Sequence, residues 1–280
     1  MNKIMRLLIV LLLLPCLAVV AAEQSSQKVE SITLLDTLTQ GAMVRGQVNV
    51  KAGVEVLGRS LRIDDEGYFV FGLGRDAEPE LTILIHHANG NTEKKTYSVL
   101  QREYDIQYVE GVASKYVSPP PEVSQRIAND AAMVKAARAE SRPVSDYRKG
   151  FDWPVTGRIS GVYGSQRVFN GVPKRPHYGL DIARPVGTPV VAPVEGLVTL
   201  AEPDLYYSGG TIIIDHGDGI SSTFIHLSKI DVAKGQVVAK GDKIGEVGAT
   251  GRVTGPHLDW RINWFEHRLD PALVLPPQPE

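Results

Sequence analysis

The chain has 280 residues, 43% of them hydrophobic, a formal net charge of −2 and one cysteine, Cys16. That length allows one or two ordinary cores, and the near-neutral balance argues against nucleic acid or an anionic membrane as the main partner. A lone cysteine forms no internal disulfide, so an exported form would hold together without such staples.

Residues 1–22 follow the order of a secretory signal: basic Lys3 and Arg6, an apolar run from Leu7 to Leu14, and the small-residue end Val20-Ala21-Ala22. Cleavage is expected before Glu23. Pro15 breaks the apolar run and leaves it marginal for a span of about 20 residues, so no stable membrane insertion is expected after cleavage. Cys16 follows a proline, a poor context for lipidation. The chain is predicted to be exported to the periplasm or cell envelope.

Residues 30–116 alternate short β-prone runs with turn chemistry. Tyr68-Phe-Val70-Phe71 and Leu81-Thr-Ile-Leu-Ile85 are separated by stretches such as Asp64-Asp65-Glu66-Gly67 and Asn89-Gly90-Asn91. The pattern predicts an accessory domain built as a small β-sandwich. His86 and His87 are adjacent, would point to opposite faces of a strand, and read as solvated loop residues.

Residues 117–150 read as a linker helix and strap. Ser118 offers a cap, Pro119 to Pro121 suit a first turn, Glu122 lies near the positive end, and Val123, Ile127, Ala131 and Val134 mark one apolar stripe. From 151 to 275 the pattern is β again and richer in glycine, which suits a compact antiparallel sheet or barrel. Two apolar runs flank the hairpin signal His216-Gly-Asp-Gly219, where His216 reads as a turn residue. Val237 to Gly248 reads as a further strand, turn and strand, and His267 as an ordinary polar residue.

The chemistry concentrates in three places: His177-Tyr-Gly-Leu-Asp181, Phe224-Ile-His226-Leu and Pro256-His257-Leu-Asp259-Trp260. Even spacing would put each ligand pair on one face of a strand. Phe224 would share a face with His226, and Ile225 and Leu227 would bury on the other. Three histidines and two aspartates supply the nitrogen and oxygen donors of a three-ligand zinc site with an open position and two spare imidazoles.

These motifs, with Gly157-Arg-Ile-Ser-Gly-Val-Tyr-Gly164 and Gly187-Thr-Pro-Val-Val-Ala-Pro-Val-Glu-Gly196, resemble the lysostaphin-type, LytM-like zinc peptidases, which cut peptide stems and bridges of peptidoglycan. The likeness covers about Trp153 to Pro271. It implies a mostly β fold, one Zn2+, and peptidoglycan as the partner. It further implies His177 and Asp181 as metal ligands, Asp259 in the third ligand position, and His226 and His257 as catalytic residues. The family normally has histidine where this chain has Asp259.

An aspartate in that position leaves one neutral and two anionic ligands, a formally neutral site with Zn2+, against +1 for two histidines and one aspartate. A less positive metal polarises bound water less, so this count predicts a need for higher pH. Arg261, two residues on and on the same face, would orient Asp259 or meet a substrate carboxylate; the alternative is that it neutralises Asp259 and removes a ligand. The leading expectation is therefore a metalloendopeptidase acting on peptidoglycan. The runner-up is an inactive LytM-like factor that activates a partner cell-wall hydrolase. A third reading, in which Val237 to Gly251 is a lipoyl-type carrier hairpin presenting Lys240, leaves the clustered His and Asp unused.

Overall fold

The computed structural model describes residues 31–109 and 121–279; the signal segment 1–22, Cys16, Ser118, Pro119 and Pro120 lie outside them. Alternation builds the N-terminal strands. In Glu80–His86, Leu81, Ile83 and Ile85 are buried while Glu80, Thr82 and His86 are exposed, the period of a half-buried strand. Two sheets result. One contains Ile32–Leu34, Met43–Val48 and Tyr68–Gly72, and the other runs Arg59–Leu61, Gly53–Val56, Glu80–His86, Thr92–Ser98. His86 bonds Thr92 and His87 bonds Glu93 across the hairpin, so both serve its edge.

The C-terminal half is a mostly β unit centred on one antiparallel sheet. Its strand order is Val237–Val238, Gly196–Leu205, Gly209–Asp215, Ile220–Leu227, His257–Trp264, Leu180–Ala183, Arg158–Gly161, with His267–Leu269 paired to His257–Trp264. The end strands do not pair with each other, so the sheet is open rather than a closed barrel. Gly209–Asp215 and Ile220–Leu227 are buried along their whole length, as strands covered on both faces must be. Val237–Val238 and Lys243–Glu246 join different sheets instead of forming the expected hairpin. Lys240, between them, is 2.8 Å from Asp152 and donates to the Gly150 carbonyl, a structural tether that replaces the carrier-lysine reading.

The two β regions share one apolar core, and residues 31–280 form one compact unit. Gly72 shows how closely they approach: a Cβ there would lie 2.7 Å from side-chain atoms of Leu269 and Trp264. Arg62 pairs with Asp218 at 2.6 Å and Arg102 with Asp270 at 2.8 Å across the same junction. Ile106–Val109 runs parallel to Gln166–Phe169, stitching the N-terminal region to the C-terminal one.

The helix spans Ser124–Ala139, after a short 3-10 turn at Pro121–Val123, and its N-cap is Val123 with no side-chain cap. Its less exposed line is Ile127, Asp130, Val134, Ala137 and Arg138; Ala131 points to solvent. Thus the stripe read from the sequence is off by one position in its middle, where Asp130 turns inward to accept from the Tyr206 backbone at 2.7 Å. Ala137 and Val134 pack on Leu200, Leu205 and Ile213, which lays the helix on one face of the large sheet. Among the described residues no helix is long and apolar enough to cross a membrane.

His216 sits in the hairpin turn as its motif suggests, yet it is fully buried. Nδ1 is 2.7 Å from the Glu195 carbonyl, and Nε2 is 2.9 Å from Ser222 Oγ. Burial pushes its pKa down to about 4. The folded state therefore resists a proton that the unfolded chain accepts near pH 6.5, so this residue's contribution is present above that pH and lost as pH falls towards 4. Chemical denaturation of wild type and His216→Gln should show wild type losing roughly 3 kcal/mol more between pH 7 and pH 4; parallel pH curves would refute the assignment.

Candidate metal centre

Leu180–Ala183 and His257–Trp264 are adjacent antiparallel strands, and their register places Asp181 directly opposite Asp259. Cross-strand partners share a face, so the two carboxylates converge. His177 lies in the loop before Leu180, not on the strand. Its four-residue spacing from Asp181 works through a turn of the chain rather than through strand alternation. His177, Asp181 and Asp259 each bring one donor atom within 4.8 Å of the others.

His177 Nε2 lies 3.2 Å from Asp181 Oδ1, without hydrogen-bond alignment, and both atoms are buried with no hydrogen-bond partner. A buried imidazole nitrogen and a buried carboxylate oxygen left unsatisfied side by side are rare in native folds, and a divalent cation is the group that would satisfy both. The donor set of one imidazole and two carboxylates suits such an ion. Burial opposes charging of His177, but Asp181 and Asp259 outweigh it and raise its pKa.

Asp259 is not free. Arg261 Nε donates to Oδ1 at 2.9 Å and Nη2 to Oδ2 at 2.5 Å, a bidentate fork. Burial would raise the Asp259 pKa, but attraction and hydrogen bonding to Arg261 overcome it and hold the carboxyl ionised. Each oxygen retains a second lone-pair direction. With Arg261 counted, Zn2+, two carboxylates and one guanidinium sum to +1, the value of a site with two histidines and one aspartate. The expected need for higher pH, which rested on a neutral count, loses its basis.

His226 and His257 stand beside this group, with ring centroids 5.0 Å apart. His226 Nδ1 is 2.9 Å from the Thr250 carbonyl, and His257 Nδ1 is 2.8 Å from the Gly255 carbonyl. A carbonyl only accepts, so both Nδ1 atoms carry protons, and in the neutral form of either ring Nε2 is the lone pair; Nε2 of His257 lies 3.8 Å from Asp181 Oδ1. Burial lowers the pKa of His226 and favours its neutral form. His226 has a φ of 67°, and the pairing of its strand slips between Gly210 and Ile212. This bulge breaks the alternation expected of Phe224 to Leu227, and all four side chains are buried.

Two glycines complete the site and carry no signal by residue type. A Cβ on Gly161 would lie 2.3 Å from Asp181 Oδ2, and one on Gly179 would lie 2.0 Å from Asp259 Oδ1. Each leaves the gap that a carboxylate fills. Both fall inside motifs quoted above, but only the pairing of the strands shows what the missing side chains make room for.

The sequence of residues 175–271 matches the model of peptidase family M23. A solved Pseudomonas aeruginosa chain assigned to peptidase M23 aligns with a TM-score of 0.67 and 30% identity, covering 86% of this chain and 96% of that one. The chain belongs to peptidase family M23. Among curated relatives, the peptidoglycan DD-endopeptidase ShyA of Vibrio cholerae is 44% identical over 107 residues, 38% of this chain and 24% of that protein. The cell division protein DipM of Caulobacter vibrioides is 32% identical over 166 residues, 57% of this chain and 26% of that protein. This chain thus spans about a quarter of the length of those two relatives.

Gly179→Ala and Gly161→Ala should each displace a carboxylate from the centre. The measurement is zinc affinity by chelator competition, with a loss of roughly 10- to 100-fold expected, the range for residues that position ligands. Unchanged affinity in both would show that these carboxylates do not hold the metal.

Proposed function

We propose that the chain is a zinc-dependent endopeptidase that hydrolyses peptide cross-links or stems of peptidoglycan in the periplasm or cell envelope. The observation that carries this reading is the unsatisfied pair His177 Nε2 and Asp181 Oδ1, facing Asp259 and flanked by two imidazoles with free Nε2 atoms. Family membership and relatives named as peptidoglycan DD-endopeptidases support the substrate class.

His177, Asp181 and Asp259 would hold one zinc ion, which when bound supplies Lewis-acid polarisation and a water of lowered pKa. The chain's own residues do the proton work. His257, fixed by the Gly255 carbonyl at Nδ1, presents Nε2 as the base that accepts a proton from the attacking water. His226, fixed by Thr250, presents a second acceptor. Whichever ring takes the proton becomes a donor at Nε2, able to protonate the leaving amine or bond the developing oxyanion. Arg261 keeps Asp259 ionised and fixes its plane, which supports the orienting role.

A second reading has a specific observation behind it. Both Asp259 oxygens already accept from Arg261, which suits an inactive factor that activates a partner cell-wall hydrolase. Arg261→Lys separates the two, since it keeps the charge and loses the fork. If Arg261 orients a ligand, zinc affinity should fall about tenfold; if it withholds one, affinity should rise.

Digestion of purified peptidoglycan by the mature chain, read by mass analysis of released muropeptides, is the direct test of activity. Products should appear with zinc, vanish with chelator, and fall by at least about 100-fold in His257→Ala, within the range of general-base loss. No chelator-sensitive products at any pH, together with tight binding to a cell-wall amidase, would establish the second reading.

A further inference from the structure

The face that carries His257, Asp259 and Arg261 continues to Asn263, and Thr223 and Ser221 stand opposite Arg261 and Asn263 on the neighbouring strand. Arg268, paired with Asn263 from the other side, donates to Asn263 Oδ1 at 3.1 Å. Arg138, from the last turn of the helix, reaches over the same face and donates to Thr223 Oγ1 at 3.2 Å. Arg138 Nε and Ser221 Oγ are buried there with no hydrogen-bond partner.

Three guanidiniums thus crowd one floor beside two carboxylates, Asp259 and Asp181, and Arg261 already holds both oxygens of Asp259. Among the described residues, neither Arg138 nor Arg268 forms an ion pair. Burial, then repulsion from Arg268, Arg261 and Arg175, pushes the Arg138 pKa well below its ordinary value; burial, then repulsion from Arg261 and Arg175, brings Arg268 down to about 9. Buried cations without counter-charge destabilise a fold. Arg268 keeps its bond to Asn263 and lies 6.0 Å from the Tyr178 ring, but among the described residues no carboxylate pairs with either cation, and sites that break such a rule are typically those where a ligand supplies the missing partner.

The position says which ligand. Arg261 is two residues from Asp259 and Asn263 four, so this floor lies about 7 to 13 Å along the strand from the metal centre. Arg138 and Arg268 are only partly buried, so the cluster is reached from solvent. We infer that Arg138 and Arg268, with the hydroxyls of Ser221 and Thr223, form a subsite for a carboxylate of the peptide substrate, two to four residues from the bond that is cut. This inference rests on the peptide-hydrolase reading for the identity of the ligand, and on the unpaired donors for its charge.

The test uses the zinc-loaded full chain carrying His257→Ala, which stops turnover. Calorimetry would compare an N-acetylated tetrapeptide stem ending in a free carboxylate with its carboxamide, and with inorganic phosphate. The acid should bind at least tenfold more tightly than the amide and than phosphate. Arg138→Gln and Arg268→Gln should each abolish that preference with zinc affinity unchanged, and Arg138→Gln should raise Tm by removing an uncompensated charge. Equal binding of acid and amide, no binding of the acid, phosphate binding as tightly as the peptide, a preference that survives both substitutions, or a lowered Tm in Arg138→Gln would each overturn the subsite. Peptidoglycan digestion without acid preference removes only the subsite; acid preference without digestion removes only the hydrolase.

Discussion

The ion pair between Asp259 and Arg261 is the interaction on which the site depends. A buried carboxylate beside Asp181 would be repelled and would tend to protonate, yet Arg261 keeps it charged through two hydrogen bonds. The same pair adjusts the electrostatics. An aspartate with its own guanidinium carries no net charge, so it can stand where a neutral histidine would and leave the formal sum of the site unchanged. Two side chains on one strand, two residues apart, thereby match the formal charge of one neutral imidazole. Gly179 makes this possible, because any side chain there would occupy the place of Asp259 Oδ1.

The surrounding fold holds that geometry rigid. Asp181, Asp259 and His226 come from neighbouring strands of one sheet whose central members are buried on both faces. One side of that sheet shares its core with the N-terminal β region, through contacts as close as Gly72 against Trp264. The other side carries the metal centre and is flanked by the helix Ser124–Ala139. The helix therefore belongs to the working face of the sheet, to which it contributes Arg138, rather than serving only to connect two parts of the chain.

Much of this was legible in the sequence, for identifiable reasons. Period-two alternation in Glu80–His86 and the glycine-rich turn at 216–219 are local signals, and the strands and hairpin formed where they pointed. His177, Asp181, His226, His257 and Asp259 stood out because metal-ligand residue types are concentrated in three short apolar motifs. Their geometry was less legible. His177 acts from a loop, and His226 from a bulge with positive φ, because the pairing of distant strands, not local spacing, decides which side chains meet. Arg138, Arg268, Gly161 and Gly179 were silent for the same reason. Arg138 is 85 residues from the threonine it touches, and a glycine's role is defined by the atom that would otherwise collide with it. His216 read as a turn residue and is one, but its burial followed from packing against Phe151 and the Glu195 carbonyl.

The most direct test is a crystal structure of the zinc-loaded chain with anomalous differences collected at the zinc edge. One zinc bound by His177 nitrogen and by oxygens of Asp181 and Asp259, with Arg261 still forked on Asp259, is the predicted result. Zinc bound without an Asp259 oxygen, or an absence of zinc from these residues at saturating concentration, would contradict the account.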